Sequence, residues 1–141
     1  PQVVREVAPR YGEPVLVQPR LGQGSFRVLV TDAYNRRCAV SSERTLPVLE
    51  AAHIKPYSDL GEHKVTNGIL LRQDIHTLFD KGYLTITPDL KIEVSRRIRE
   101  EFENGRDYYK YNGQSMHPPQ NWMDRPSREY LAWHNETVYR G

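Results

Sequence analysis

The sequence predicts an α+β fold, and three observations carry that expectation. A strand, loop, strand, helix pattern occupies Leu49 to Leu84. A stretch with helical apolar spacing precedes it, and an alternating hairpin followed by two Ser-capped helical segments comes after it. At 141 residues the chain fits one domain, long enough to bury a real core.

Taken in order, residues 1–20 carry Pro1, Pro9, Pro14 and Pro19 around a short apolar run at Val15, Leu16 and Val17. Proline confines such a segment to an extended arm or linker with one edge strand. From Gln23 the period changes. Phe26, Leu29, Val30, Ala33 and Tyr34 share one face of a helix predicted over about 24–36, with Arg27, Asp32, Asn35 and Arg36 on the other. Cys38 to Arg44 is a turn-rich connector in which Cys38 is expected to be a small buried apolar residue. After the central stretch, residues 83–86 and 91–94 alternate across Thr87-Pro88-Asp89-Leu90 and read as a hairpin. Ser95 can cap a helix over 96–103 that stops at Asn104 and Gly105, and Ser127 can cap a last one holding Tyr130, Trp133, His134 and Thr137. Between them, 107–126 has no usable period and is expected to be an aromatic-rich loop. The expected divisions are an arm over 1–20, a core over 21–95 and a C-terminal extension over 96–141.

Composition narrows the function only loosely. A formal charge of +2 and a pI near 8.8 permit binding to an anionic polymer without demanding it. One cysteine excludes a disulfide within this chain and any multi-cysteine zinc knuckle it could make alone, so a reduced intracellular setting is the simpler assumption. No apolar run approaches the roughly 20 residues of a membrane-spanning helix, so no membrane partner is expected. The start at Pro1 points to a piece of a longer protein, the proline-rich arm being the trailing end of a linker.

The chemistry concentrates in the central stretch. His53 stands where a strand gives way to a loop, and an imidazole with a near-neutral pKa can take a proton from water. Asn67, at the far end of that loop, can bridge backbone groups across it or accept from the Nδ1–H of His53. Asp74 can cap a short helix on which His76 and Asp80, at i and i+4, share a face and can reach one divalent cation. Taken singly, each has a plainer explanation: a structural histidine, a turn residue in Thr-Asn-Gly, and a polar stripe on a surface helix. His63 is expected to face solvent, with a phosphate contact as the alternative, and His117 and His134 to be structural. Lys55, Arg72, Lys81, Arg96, Arg97 and Arg99 are candidates to bind an anionic polymer, with surface ion pairs as the alternative.

Together, His53, Asn67 fourteen residues on and His76 nine further, set on strand, loop, strand and helix, resemble the HNH endonucleases of the ββα-metal fold. The wording AAHIKPY and NGILLRQDIHTLFDKGYL, with RLGQGSFRVLVTDAYNRRCAV upstream, is similar to HNH domains of bacterial restriction-type proteins, some of them modification-dependent. The resemblance implies a ββα-metal finger with an added N-terminal helix, a hairpin and a C-terminal helical extension. It implies divalent-metal-dependent hydrolysis of DNA to 5′-phosphate and 3′-hydroxyl ends. His53 would then be the general base, Asn67 the residue holding loop and base, and His76 a metal ligand. Asp80 falls where some members carry a further ligand. Many members place an Asp or His just before the base, where this chain has Ala52, so Glu50, two residues back on the same side of the strand, is the alternative ligand. Mg²⁺ or Mn²⁺ is the expected ion, with Ni²⁺ and Zn²⁺ as alternatives. Expected partners are DNA, another domain or subunit supplying specificity, and a second copy for double-strand cleavage, in the bacterial cytoplasm. The competing readings are a non-catalytic nucleic-acid-binding module with a degenerate site, and a domain for protein contacts.

Overall fold

The computed structural model describes residues 5–7, 15–17 and 22–141. Of the expected arm, only the strands β1 (Arg5–Val7) and β2 (Val15–Val17) fall among these. They pair antiparallel, Arg5 opposite Val17, so the anticipated strand has a partner. The rest of the arm lies outside the described residues.

Helix α1 (Gln23–Ala33) buries Phe26 and Val30, and Tyr34 continues the same face just past its end. It is shorter than the predicted 24–36 because Asn35 and Arg36 both take positive φ, near 55°, and two left-handed residues in succession cannot continue a right-handed helix. Cys38 is fully buried, as expected. Its Sγ accepts from the backbone N–H groups of Ser41 and Arg72, both at 3.3 Å, and so ties the connector to the end of the central hairpin.

That hairpin is β3 (Leu49–His53) paired antiparallel with β4 (Gly68–Arg72), Ala52 opposite Ile69 and His53 opposite Gly68. Four consecutive buried residues in β4 mean that both of its faces are covered, which its unbroken apolar run requires. Gly68 marks the closest approach of α1, since a Cβ there would stand 2.5 Å from Val30 Cγ2. Helix α2 (Gln73–Lys81) follows β4 directly and buries Ile75 and Phe79. Asp74 does not cap it. Its carboxylate is held instead by Arg72, at 2.7 and 3.0 Å, and by the Tyr108 hydroxyl at 2.9 Å. Gly82, at φ 85°, closes α2 with its own N–H and that of Tyr83 returning to the last turn.

Strands β5 (Leu84–Ile86) and β6 (Ile92–Val94) form the second hairpin, Leu84 opposite Val94. Helix α3 (Arg97–Phe102) is one residue shorter at each end than expected, with Ser95 Oγ accepting from the N–H of Arg97 at 3.1 Å. The expected loop contains α4 (Arg106–Tyr109) and a single 3₁₀ turn at Trp122–Asp124. Both elements are too short to leave a periodic signature in sequence. Helix α5 (Arg128–Thr137) is capped by Ser127 as anticipated. This arrangement is an α+β fold of the ββα-metal type, with α1, the second hairpin and the C-terminal helices set around the β3, β4, α2 unit. No helix among the described residues is long and apolar enough to cross a membrane.

α5 reaches the finger through His134, which is buried and stacked on the Phe79 ring at 3.7 Å. Its Nε2–H donates to the Phe79 carbonyl at 2.9 Å, and its Nδ1 accepts from the Thr85 hydroxyl at 2.6 Å. The Thr85 oxygen in turn accepts from Asn135 at 2.7 Å. This chain of donors is that of a neutral ring, the form favoured by burial, which pushes the His134 pKa down to about 4. The unfolded chain therefore takes up a proton between pH 6.5 and 4 that the folded chain refuses. Urea unfolding should show stability lost as pH falls through that window, by roughly 3 kcal/mol from this group. His134→Asn should lack that component.

Candidate active site

The site is built at the loop end of the central hairpin. β3 ends at His53, whose ring lies flat on Phe26 of α1, centroids 4.0 Å apart and planes within 4°. The chain then leaves through a loop that carries 3₁₀ turns at Tyr57–Asp59 and Val65–Asn67. Asn67 is fully buried and pins that loop. Its Oδ1 accepts from the Lys55 N–H at 2.9 Å, and its Nδ2 donates to the carbonyls of Lys55 (2.9 Å) and Glu62 (2.8 Å). Of the two arrangements anticipated for Asn67, this is backbone bridging. Its contact with His53 runs through the chain, not through a side-chain hydrogen bond.

His53 lines a cleft of about 610 Å³ together with His76 and Asp80 from α2 and Arg27 from α1. His76 is held between two carboxylates, with Nδ1 at 2.7 Å from Glu50 Oε1 on β3 and Nε2 at 3.1 Å from Asp80 Oδ2 one turn along α2. Asp80 first and Glu50 with it raise the His76 pKa above its ordinary value, against burial that opposes them. His53 is shifted the opposite way. Burial first, and then the neighbouring imidazoles of His63 and His76, lower its pKa, with Asp80 opposing. The pKa values of the two rings are thus pushed apart, and separation of that kind marks functional sites.

The donor set at His76 fits a divalent ion. Glu50 can only accept, so it fixes a proton on Nδ1 and leaves the Nε2 lone pair facing the Asp80 carboxylate. Two acceptors at 3.1 Å need a cation between them, either a proton or a metal. Glu50 is therefore placed as the partner that orients His76 and not beside Asp80 at Nε2. Ala52 lies on the same strand face as Glu50 and is fully buried. Among the described residues no group of three or more His, Cys, Asp or Glu side chains is arranged around a common metal position.

The candidate phosphate contacts separate into groups. Lys81 is exposed in the last turn of α2, beside Asp80, and Lys55 extends over the Trp133 ring at 5.4 Å. Arg72 is committed to Asp74. On α3, Arg96 and Arg97 face Glu100 and Glu101 at 3.9 and 3.8 Å, and Arg99 lies over Tyr109 at 4.9 Å. None of these four lines the cleft. Arg27 does line it, although its position on the polar side of α1 marked it only as a solvent-facing residue. His63 was also expected to face solvent, yet its Nδ1 lies 2.8 Å from His53 Nε2. The sequence signal for His63 was weak, one histidine between a Glu and a Lys in a loop.

A finger of two strands and a helix with histidines at the strand end and on the helix is the ββα-metal arrangement. Residues 38–87 match the family model described as HNH endonuclease, so the chain carries an HNH-type domain. Among solved structures it resembles one described as "Modification dependent TagI restriction endonuclease", with a TM-score of 0.58 and 21% identity over 89% of this chain. The match covers 41% of that protein's chain, so the present chain spans about two fifths of its length, and the likeness is one of fold. No curated protein matches the chain.

Proposed function

We propose that this domain hydrolyses phosphodiester bonds in DNA with one divalent metal ion, Mg²⁺ or Mn²⁺ before Ni²⁺ or Zn²⁺, as the cleavage part of a restriction-type enzyme. The observation that carries the reading is the pairing, in one cleft, of the His53 imidazole with a second imidazole, His76, flanked by two carboxylates. His53 is the general base and removes a proton from the attacking water. Its lowered pKa keeps the lone pair available at neutral pH. His76 Nε2 and Asp80 would hold the ion, and Glu50 orients His76 from behind. When bound, the ion supplies charge stabilisation at the scissile phosphate and the leaving 3′-oxygen. Asn67 keeps the loop after His53 in place, and Arg27, Lys55 and Lys81 are the cations best placed for backbone phosphates.

The test is cleavage of supercoiled plasmid, modified and unmodified, with Mg²⁺, Mn²⁺, Ni²⁺, Zn²⁺ or EDTA. Nicking or linearisation that needs metal and disappears in His76→Ala is expected. A protein inert with every metal on both DNAs overturns the reading. One observation favours a second reading, a non-catalytic DNA-binding module: among the described residues no group of three or more His, Cys, Asp or Glu side chains surrounds a common metal position, and Ala52 is buried where many HNH nucleases carry another ligand. DNA binding that persists in EDTA, with no cleavage, would establish it.

A further inference from the structure

Resting on the reading of His53 as the base, we propose that His63 is its positioning residue: His63 Nδ1 accepts from His53 Nε2–H and so reserves His53 Nδ1 for the proton of water. The two nitrogens are 2.8 Å apart, and two neutral imidazoles at that distance share a single proton, one ring donating and the other accepting. The contact is held from several sides. His53 is stacked on Phe26, while His63 is stacked on Tyr57 at 5.3 Å and meets Phe26 edge-on at 6.0 Å. The residue before His63 is Glu62, whose carbonyl is clamped by buried Asn67, so the backbone that presents the ring is fixed as well. His53 Nδ1 has no hydrogen-bond partner among the described residues, while its ring faces the cleft shared with His76 and Asp80.

The role of His53 as a base requires one of the two tautomers this contact allows. If Nε2 carries the proton, Nδ1 presents a lone pair, and the imidazolium formed after proton uptake keeps donating to His63. If the shared proton instead belonged to His63, His53 Nδ1 would be an N–H and could not act as a base.

The tautomer can be read without DNA or metal, from ¹⁵N-resolved imidazole spectra of the protein at neutral pH. His53 is expected to show a protonated Nε2 and an unprotonated Nδ1. In His63→Ala both tautomers should be populated, and kcat for plasmid cleavage should fall by roughly 10- to 100-fold, the range for partners that orient a reacting group, with KM unchanged. His63→Asn places an amide oxygen near the position of Nδ1 and should restore the single tautomer and most of kcat. A protonated Nδ1 in the wild type, or a His53 tautomer unaffected by His63→Ala, overturns the proposal. An inert wild type with the expected tautomer would instead count against the nuclease reading, since the spectra do not depend on cleavage.

Discussion

Replacing His53 with alanine is expected to lower the rate of metal-dependent plasmid cleavage by about 10²- to 10⁴-fold, the usual contribution of a positioned general base. The ring also packs, however, because it covers Phe26 in a parallel stack. Loss of activity in His53→Ala could therefore come from a disturbed α1 contact. His53→Phe separates the two causes by keeping an aromatic ring against Phe26 while removing the nitrogens. Both variants should be equally inactive, and His53→Phe should keep near wild-type thermal stability. Activity in either would remove His53 from the mechanism. At saturating metal, where the proton on His76 no longer competes, the wild-type rate should rise with pH through the His53 pKa and level off. Because burial and the adjacent imidazoles place that pKa below 6.5, the plateau should already be reached at neutral pH.

Asn67→Ala is expected to cost about 2–4 kcal/mol in urea unfolding, the sum of three hydrogen bonds lost at a buried position. Asn67 is 0% exposed, and its partners are backbone groups that the loop's conformation leaves without substitutes. Asn67→Asp should be no better. A carboxylate keeps the acceptor for the Lys55 N–H but turns two donated bonds into repulsion against the carbonyls of Lys55 and Glu62. The backbone bond from Ile54 N–H to the Asn67 carbonyl, 2.9 Å, survives both changes, so the strand pairing should persist while the loop loosens. Cleavage should fall with stability, because this loop presents the neighbours of His53. A variant of wild-type stability would show that water replaces the amide.

Much of the fold was legible in the sequence for local reasons. α1 and α2 each bury an apolar face at helical spacing, the unbroken apolar run of β4 is buried on both faces, and Gly82 and Ser127 provide stop and start signals at helix ends. The error at the end of α1 and the unseen α4 share a cause. Two left-handed residues and a four-residue helix are set by what surrounds them, and period says nothing about either.

The sequence by itself determined the type of the site: a histidine at a strand end, an asparagine closing its loop, and a histidine and aspartate one helical turn apart. Spacing along one strand or one helix face translates directly into position. Only the tertiary structure decided the partners. It placed Glu50 behind His76, put His63 on His53, brought Arg27 to the cleft and committed Arg72 to Asp74. The physical reason is that these contacts join residues from different elements, or across a loop whose path is held by one buried amide. No periodicity encodes how an α1 side chain or a loop imidazole meets a strand end; the packing of α1 and α2 on one hairpin does.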